Sequence, residues 1–176
     1  MMKFTQVPSD TWSKLQMNAG ILAEGFTPAT GTVGTLIGAT TGGITFNSNP
    51  TYTDFGEDVD NVPANTYQLK RIESYDPVIS GTFVTVSAAL AASLTGGADV
   101  DTANTAHVVP REELEAADFD DVWFIGDYSD VNTGSTAGFL AIHIMNAMNT
   151  AGFQIKSTKN GKGNFSFEYQ IGRAHV

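Results

Sequence analysis

The chain has 176 residues, no cysteine, and a formal net charge of −10 from 19 acidic against 9 basic residues. The absent cysteines exclude a disulfide-stapled module, thiol catalysis and thiolate metal sites, and the acidic balance argues against a face that wraps nucleic acid. The length predicts one domain, spanning 1–176, that buries roughly two thirds of its unfolded surface. Its 41% hydrophobic content excludes a disordered chain, and its 18 glycines, with abundant Thr, Ala and Asn, point to a β-rich class.

In chain order, residues 1–11 read as an exposed N-terminal arm. No apolar leader follows Lys3 and no 18-residue apolar run occurs, so neither a signal peptide nor a membrane span is expected. Trp12–Phe26 reads as a strand region broken by a turn or bulge around Asn18, Gly20 and Gly25. Residues 27–43 are rich in Gly and Thr and predict a loop, with a short strand near Leu36–Ile37. Ile44–Phe46 predicts another short strand. Residues 47–66 are polar, contain Pro50 and Pro63, and predict a long loop of the kind that is functional or disordered.

Two strand-like segments follow, Leu69–Tyr75 and Val78–Val86, divided by Asp76-Pro77. In the second, Val78, Val84 and Val86 share one face while Ile79 and Phe83 share the other, which predicts burial on both sides. Ser87 to Gly97 is the clearest helix. Ser87 caps it, Leu90 and Leu94 form its buried stripe, and Gly96 ends it in the left-handed conformation. Residues 98–107 predict a loop, and 110–118 a short helical turn opened by Pro110. Val122–Asp127 predicts a strand. Gly138–Met148 fits a helix or a strand by its own spacing. The strict alternation after it, through Phe153 and Ile155 and then Phe165, Phe167 and Tyr169, favours a strand and a three-stranded meander. Asn160-Gly161 is its hairpin turn.

No enzyme site emerges from this pattern, and no catalytic, cofactor-binding or metal-binding residue is assigned. Asp54, Glu57, Asp58 and Asp60 partly imitate a calcium loop, but Val62 replaces a ligand and the closing Glu is missing, so a solvated acidic loop is the simpler reading. Asp127 to Gly134 offers oxygen ligands with the composition of an ordinary turn. His107, His143 and His175 have no matched Ser and Asp spacing. Residues 31–38 lack the Lys-Ser/Thr of a phosphate loop and read as a flexible loop. The acids from Glu112 to Asp121 read as a solvated face.

Six segments, however, carry a resemblance: LQMNAGIL (15–22), GGITFNSNP (42–50), YTDFGEDVDNVP (52–63), LKRIESYDPVISGTFVTV (69–86), DFDDVWFIGDYSD (118–130) and 138–168. In their order and combination they resemble the major tail proteins, or tail tube proteins, of long-tailed bacteriophages and prophages. The resemblance implies a mainly β fold, a β-sandwich or partly closed barrel with one flanking helix and a long loop. It also implies a virion structural protein, made in the host cytoplasm and located in the tail. Its partners would be copies of itself in stacked hexameric rings, together with tape measure and terminator proteins. DNA would pass through the lumen without specific binding. After Tyr169 the family continues Thr-Gly-His-Tyr; here the chain reads Gln170-Ile-Gly-Arg-Ala-His-Val176, so 171–176 is expected to be a truncated or non-native tail.

Under this reading some of Asp54, Glu57, Asp58, Asp60, Asp99 and Asp101 are expected to face a lumen or a ring interface, where negative charge repels DNA. The competing reading is a carbohydrate- or ligand-binding β-sandwich module of a virion or bacterial surface, with Phe165, Phe167 and Tyr169 as its exposed platform.

Overall fold

Alternating apolar and polar residues build a mainly β protein. The computed structural model describes residues 7–128 and 138–171. A short helix α1 (Thr11–Lys14) leads into β1 (Gln16–Thr27), β2 (Thr32–Leu36), β3 (Thr40–Asp54) and β4 (Lys70–Phe83). Helix α2 (Ala88–Thr95) follows, then a small β5 (Ala98–Val100) and β6 (Val108–Pro110), β7 (Asp120–Tyr128), β8 (Phe139–Asn149), β9 (Gln154–Lys156) and β10 (Asn164–Ile171). The antiparallel main sheet runs β2-β1-β7-β8-β10-β4-β3, with β9 on β10, while β5 and β6 pair separately. None of the helices among the described residues is long and apolar enough to cross a membrane.

Period 2 sends one side chain in two inward. Leu22 of β1, Ile79 and Phe83 of β4, Val122 and Phe124 of β7, Ile144 of β8, and Phe165, Phe167 and Tyr169 of β10 therefore meet in one core cluster. Strands from distant parts of the sheet share that cluster, so the sheet curls around it. The segment between β2 and β3 spans the gap: Ile37 N donates to Leu22 O, Val84 N donates to Ala39 O, and Ala39 N donates to Thr85 Oγ1. No ladder joins β2 to β3 among the described residues, so the sheet does not close into a barrel.

Helix α2 covers the core with Leu90 and Leu94, as its spacing predicts. Ser87 Oγ accepts from Leu90 N at 3.1 Å, and Gly96 ends the helix at φ 82°, a left-handed conformation that costs a glycine little. Buried Asn149 ties this helix to the sheet. Its Nδ2 donates to Leu94 O at 2.6 Å and to Gly152 O at 3.2 Å, and its Oδ1 accepts from Glu168 N at 2.8 Å.

Several sequence expectations are corrected. Residues 31–38 are no flexible loop, because most of them form β2, paired with β1. Gly34 permits the close approach: a Cβ there would stand 2.2 Å from Glu24 O. The short strand at Ile44–Phe46 is part of β3, which continues to Asp54 and leaves only 55–66 of the expected 47–66 loop outside strands. Pro50 is accommodated because β3 is an edge strand.

Asp76-Pro77 does not divide β4. Pro77 lies one residue past Val78↔Gln170, the last pair with β10 among the described residues, so its missing N–H interrupts no described run of bonds on that side. Full burial in this strand is one-sided, with Val78 on the other face and Val84 just past the strand half-buried. Ile79 and Phe83 are fully buried, whereas Val86 lies beyond the strand and is exposed. Part of the expected loop at 98–107 is β5, and Pro110 belongs to β6; the helical turn of 110–118 shrinks to a 3-10 turn at Ala116–Asp118.

The expected meander is also different. β8 and β9 both pair with β10, at Tyr169–Ile171 and Asn164–Ser166 respectively, and so occupy one side of it as an interrupted strand. Phe153 and Ile155 are exposed and form no core face. The Asn160-Gly161 turn lies within a longer connection, with Gly161 N bonded to Thr158 O. Most of the expected N-terminal arm (1–6), most of the oxygen-rich turn (129–134), and the terminal residues 172–176 with His175 lie outside the described residues.

Candidate assembly surfaces

The β3–β4 hairpin outruns the rest of the sheet. Its ladder runs from Thr40↔Phe83 to Asp54↔Lys70, but β10 accompanies β4 only from Phe83 to Val78. Among the described residues the hairpin from Pro77 to Lys70 is therefore a two-stranded ribbon, roughly 25 Å long at about 3.3 Å per residue. Such a ribbon is marginal by itself. Cross-strand polar pairs support one face: Thr51 Oγ1 lies 2.7 Å from Ser74 Oγ, and Thr53 Oγ1 donates to Glu73 at 2.8 Å.

The opposite face continues the core-facing register. Phe46 stands across from buried Ile79, then Pro50 from Tyr75, then Tyr52 from Ile72 after a bulge. Beyond the core nothing in the described chain covers these groups, and Tyr52, Ile72 and Tyr75 are 60, 49 and 41% exposed. The tip adds exposed Phe55, Val59 and Tyr67. A chain that keeps its buried pattern past its own core leaves an apolar face for something else to cover.

The expected acidic residues divide. Asp54 is used locally, accepting from Gly56 N at 2.9 Å and lying 3.8 Å from Lys70 Nζ. Glu57, Asp58 and Asp60 are exposed at the tip and make no ion pair among the described residues. Asp99 and Asp101 are bound elsewhere. Arg111, mostly buried, gathers Asp99 at 3.1 Å, Glu115 at 3.2 Å, and Asp118, fixing the β5–β6 pair to the 3-10 turn. Asp101 lies 3.7 Å from His107 Nδ1. Among the described residues no cluster of three or more His, Asp or Glu could hold a metal ion.

His143 lies on β8 directly across from Trp123 of β7. It stacks on Trp123 with ring centroids 4.0 Å apart and 8° between planes, and its Nε2 lies 3.8 Å from Asp121. The aromatic platform required by the ligand-binding reading is absent from β10, because Phe165, Phe167 and Tyr169 are 6, 2 and 1% exposed.

A cleft of about 370 Å³ beside α2 brings Glu24, Asp118 and Asp120 to one place, a grouping without a sequence signal. Burial raises the Asp120 carboxyl above its usual range; the Ser93 hydroxyl opposes this, while Asp118 and Asp121 add to it. Glu24 is raised by burial and then by Asp120. Burial pushes the Tyr169 hydroxyl up to about 12, with Ser93 opposing and the two acids adding. Desolvation by burial is the main cause of all three shifts, and repulsion from the neighbouring carboxyls adds to it.

No family model matches the chain, and no curated protein matches it.

Proposed function

We propose that this protein is a structural subunit of a phage tail tube, assembling with copies of itself into stacked rings, six to a ring, that form a conduit for DNA. The observation that carries this reading is the β3–β4 hairpin, whose core-facing pattern runs past the core and ends uncovered. The curled sheet, bridged by residues 37–39 between β1 and the end of β4, supports the partly closed barrel of the tail tube type. Its two edge strands, β2 and β3, are open to pairing or cover by other copies. The acidic balance suits a lumen that must not hold DNA, and tape measure and terminator proteins are its proposed partners in the virion tail. On this reading the protein is not an enzyme.

Negative-stain microscopy of the purified protein at rising concentration tests the proposal. Rings or tubes are the expected outcome. A monodisperse monomer at every concentration, with affinity for a glycan array, would refute it in favour of a surface-binding module.

A further inference from the structure

The lysines of this acidic chain are not spread evenly. Lys156, Lys159 and Lys162 fall within the short stretch that ends β9 and turns into β10, where no acid occurs between Gln154 and Asn164. All three are exposed and make no ion pair among the described residues. Exposed Phe153 and Ile155 stand beside them, Ile155 at 61%. The hairpin tip is the counterpart. Between Asp54 and Thr66 it carries Glu57, Asp58 and Asp60 and no Lys or Arg, beside exposed Phe55, Val59 and Tyr67.

Strand register fixes where these two patches lie. Lys70 of β4 pairs with Asp54 at the acidic tip, and Phe83, at the other end of β4, pairs with Phe165 just after the basic turn. The thirteen steps between Lys70 and Phe83 span about 43 Å at roughly 3.3 Å each. One molecule thus presents an apolar patch with an acidic rim at one end of its longest ladder, and an apolar patch with a basic rim at the other. Neither patch can reach its complement within the same chain.

We propose that the hairpin tip of one copy docks on the β9–β10 turn of the next. Apolar residues meet at the centre, and Glu57, Asp58 and Asp60 face Lys156, Lys159 and Lys162 at the rim. The occupant of each patch is a second copy of this chain. The contact joins different patches, so it is head-to-tail and propagates along the β4 direction instead of closing into a two-fold dimer. Opposite rim charges speed and orient association and make it salt-sensitive. This rests on the self-assembly proposed above and adds the surface that receives the hairpin.

The full-length protein tests it by charge exchange. Reversing Lys156, Lys159 and Lys162 to Glu, or Glu57, Asp58 and Asp60 to Lys, is expected to weaken association at low salt by about ten-fold or more in sedimentation velocity, with unchanged thermal melts. Mixing the two reversed proteins brings opposite charges together at both of their joint contacts, so the two should recover association as an alternating assembly. Carrying both reversals in one chain should restore continuous assembly.

A second readout uses the absence of native cysteine. Ala64→Cys and Ser157→Cys variants, mixed under mild oxidation, should form the mixed disulfide in preference to either homodimer. A disulfide needs Cα atoms within about 7 Å, so it reports direct contact of tip and turn. Rings or tubes that form without the mixed disulfide and ignore both reversals would overturn this contact while leaving the tube reading standing. Monomers under all conditions would overturn both.

Discussion

Replacing Phe167 with alanine should strip the centre of the core. The ring is 2% exposed and packs against Phe83 with centroids 4.3 Å apart and against Tyr169 at 5.6 Å. A buried Phe→Ala change costs about 3–5 kcal/mol, a large part of the roughly 5–15 kcal/mol that holds a typical domain. At about 2–4 °C per kcal/mol for a chain of this size, the melting temperature should fall by roughly 6–20 °C. Ser166→Ala, on the exposed face of the same strand, should change stability by no more than about 0.5 kcal/mol. A second substitution tests the packing itself. A Cβ at Gly81 would stand 2.8 Å from Phe167 Cζ, so Gly81→Ala alone should cost about 1–3 kcal/mol by overpacking. With Phe167 already removed, the new methyl enters vacated space, and the double variant should lose less than the sum by about 0.5–3 kcal/mol. Urea melts of dilute, monomeric protein measure all four variants. An unchanged melt for Phe167→Ala would refute the placement of β10, and strict additivity would refute the contact with Gly81.

Other expectations follow from the same contacts. Asn149→Ala leaves Leu94 O and Glu168 N without their side-chain partner and should cost about 2–6 kcal/mol in urea unfolding, at about 1–3 kcal/mol per unsatisfied buried group; a loss below measurement error would show that water replaces the amide. Glu24 and Asp120 have raised pKa values in the folded state, so the native protein binds protons more readily than the unfolded chain, and stability from these groups falls as pH rises through the window just above the usual carboxylate range. Asp120→Asn should therefore gain stability relative to the parent at neutral pH and lose that advantage on acidification, as urea midpoints against pH would report; a pH-independent difference would contradict the burial argument. Replacing residues 57–65 by a short turn should leave the monomer's melt nearly unchanged and abolish rings, since the tip buries little of the core; normal rings from this variant would remove the hairpin tip from assembly.

The parts of the fold legible in the sequence are those whose signal is local. The alternation of Phe165, Phe167 and Tyr169 with polar neighbours specifies a half-buried strand without reference to a partner, and Ser87, Leu90, Leu94 and Gly96 specify a capped helix. The misread parts depend on pairing. Residues 47–54 have loop composition, yet Thr51 and Thr53 find hydroxyl and carboxylate partners across the ladder in Ser74 and Glu73. Pro77 is a strand breaker by propensity, but it lies past the last described pair of β4 with β10. Gly34 signals flexibility in isolation and serves here to let two backbones approach. In each case a long-range contact decides what the local residue type leaves open.

The candidate site was less legible because charge has no periodicity to betray its place. The acids at 54–60 and the lysines at 156–162 are about a hundred positions apart, and each group reads as a solvated loop. Net charge averages them into a uniformly acidic molecule, which is what favours a general repulsion of DNA. The structure distributes that charge differently. Arg111 holds Asp99, Glu115 and Asp118, Asp101 lies near His107, and Asp54 lies near Lys70, so these acids are partly neutralised within the chain. Among the described tip residues, Glu57, Asp58 and Asp60 keep their charge free, as do the three lysines at the other end of β4. A subunit whose uncompensated charges sit at opposite ends of one long strand has an electrostatic direction, and direction is what head-to-tail assembly requires.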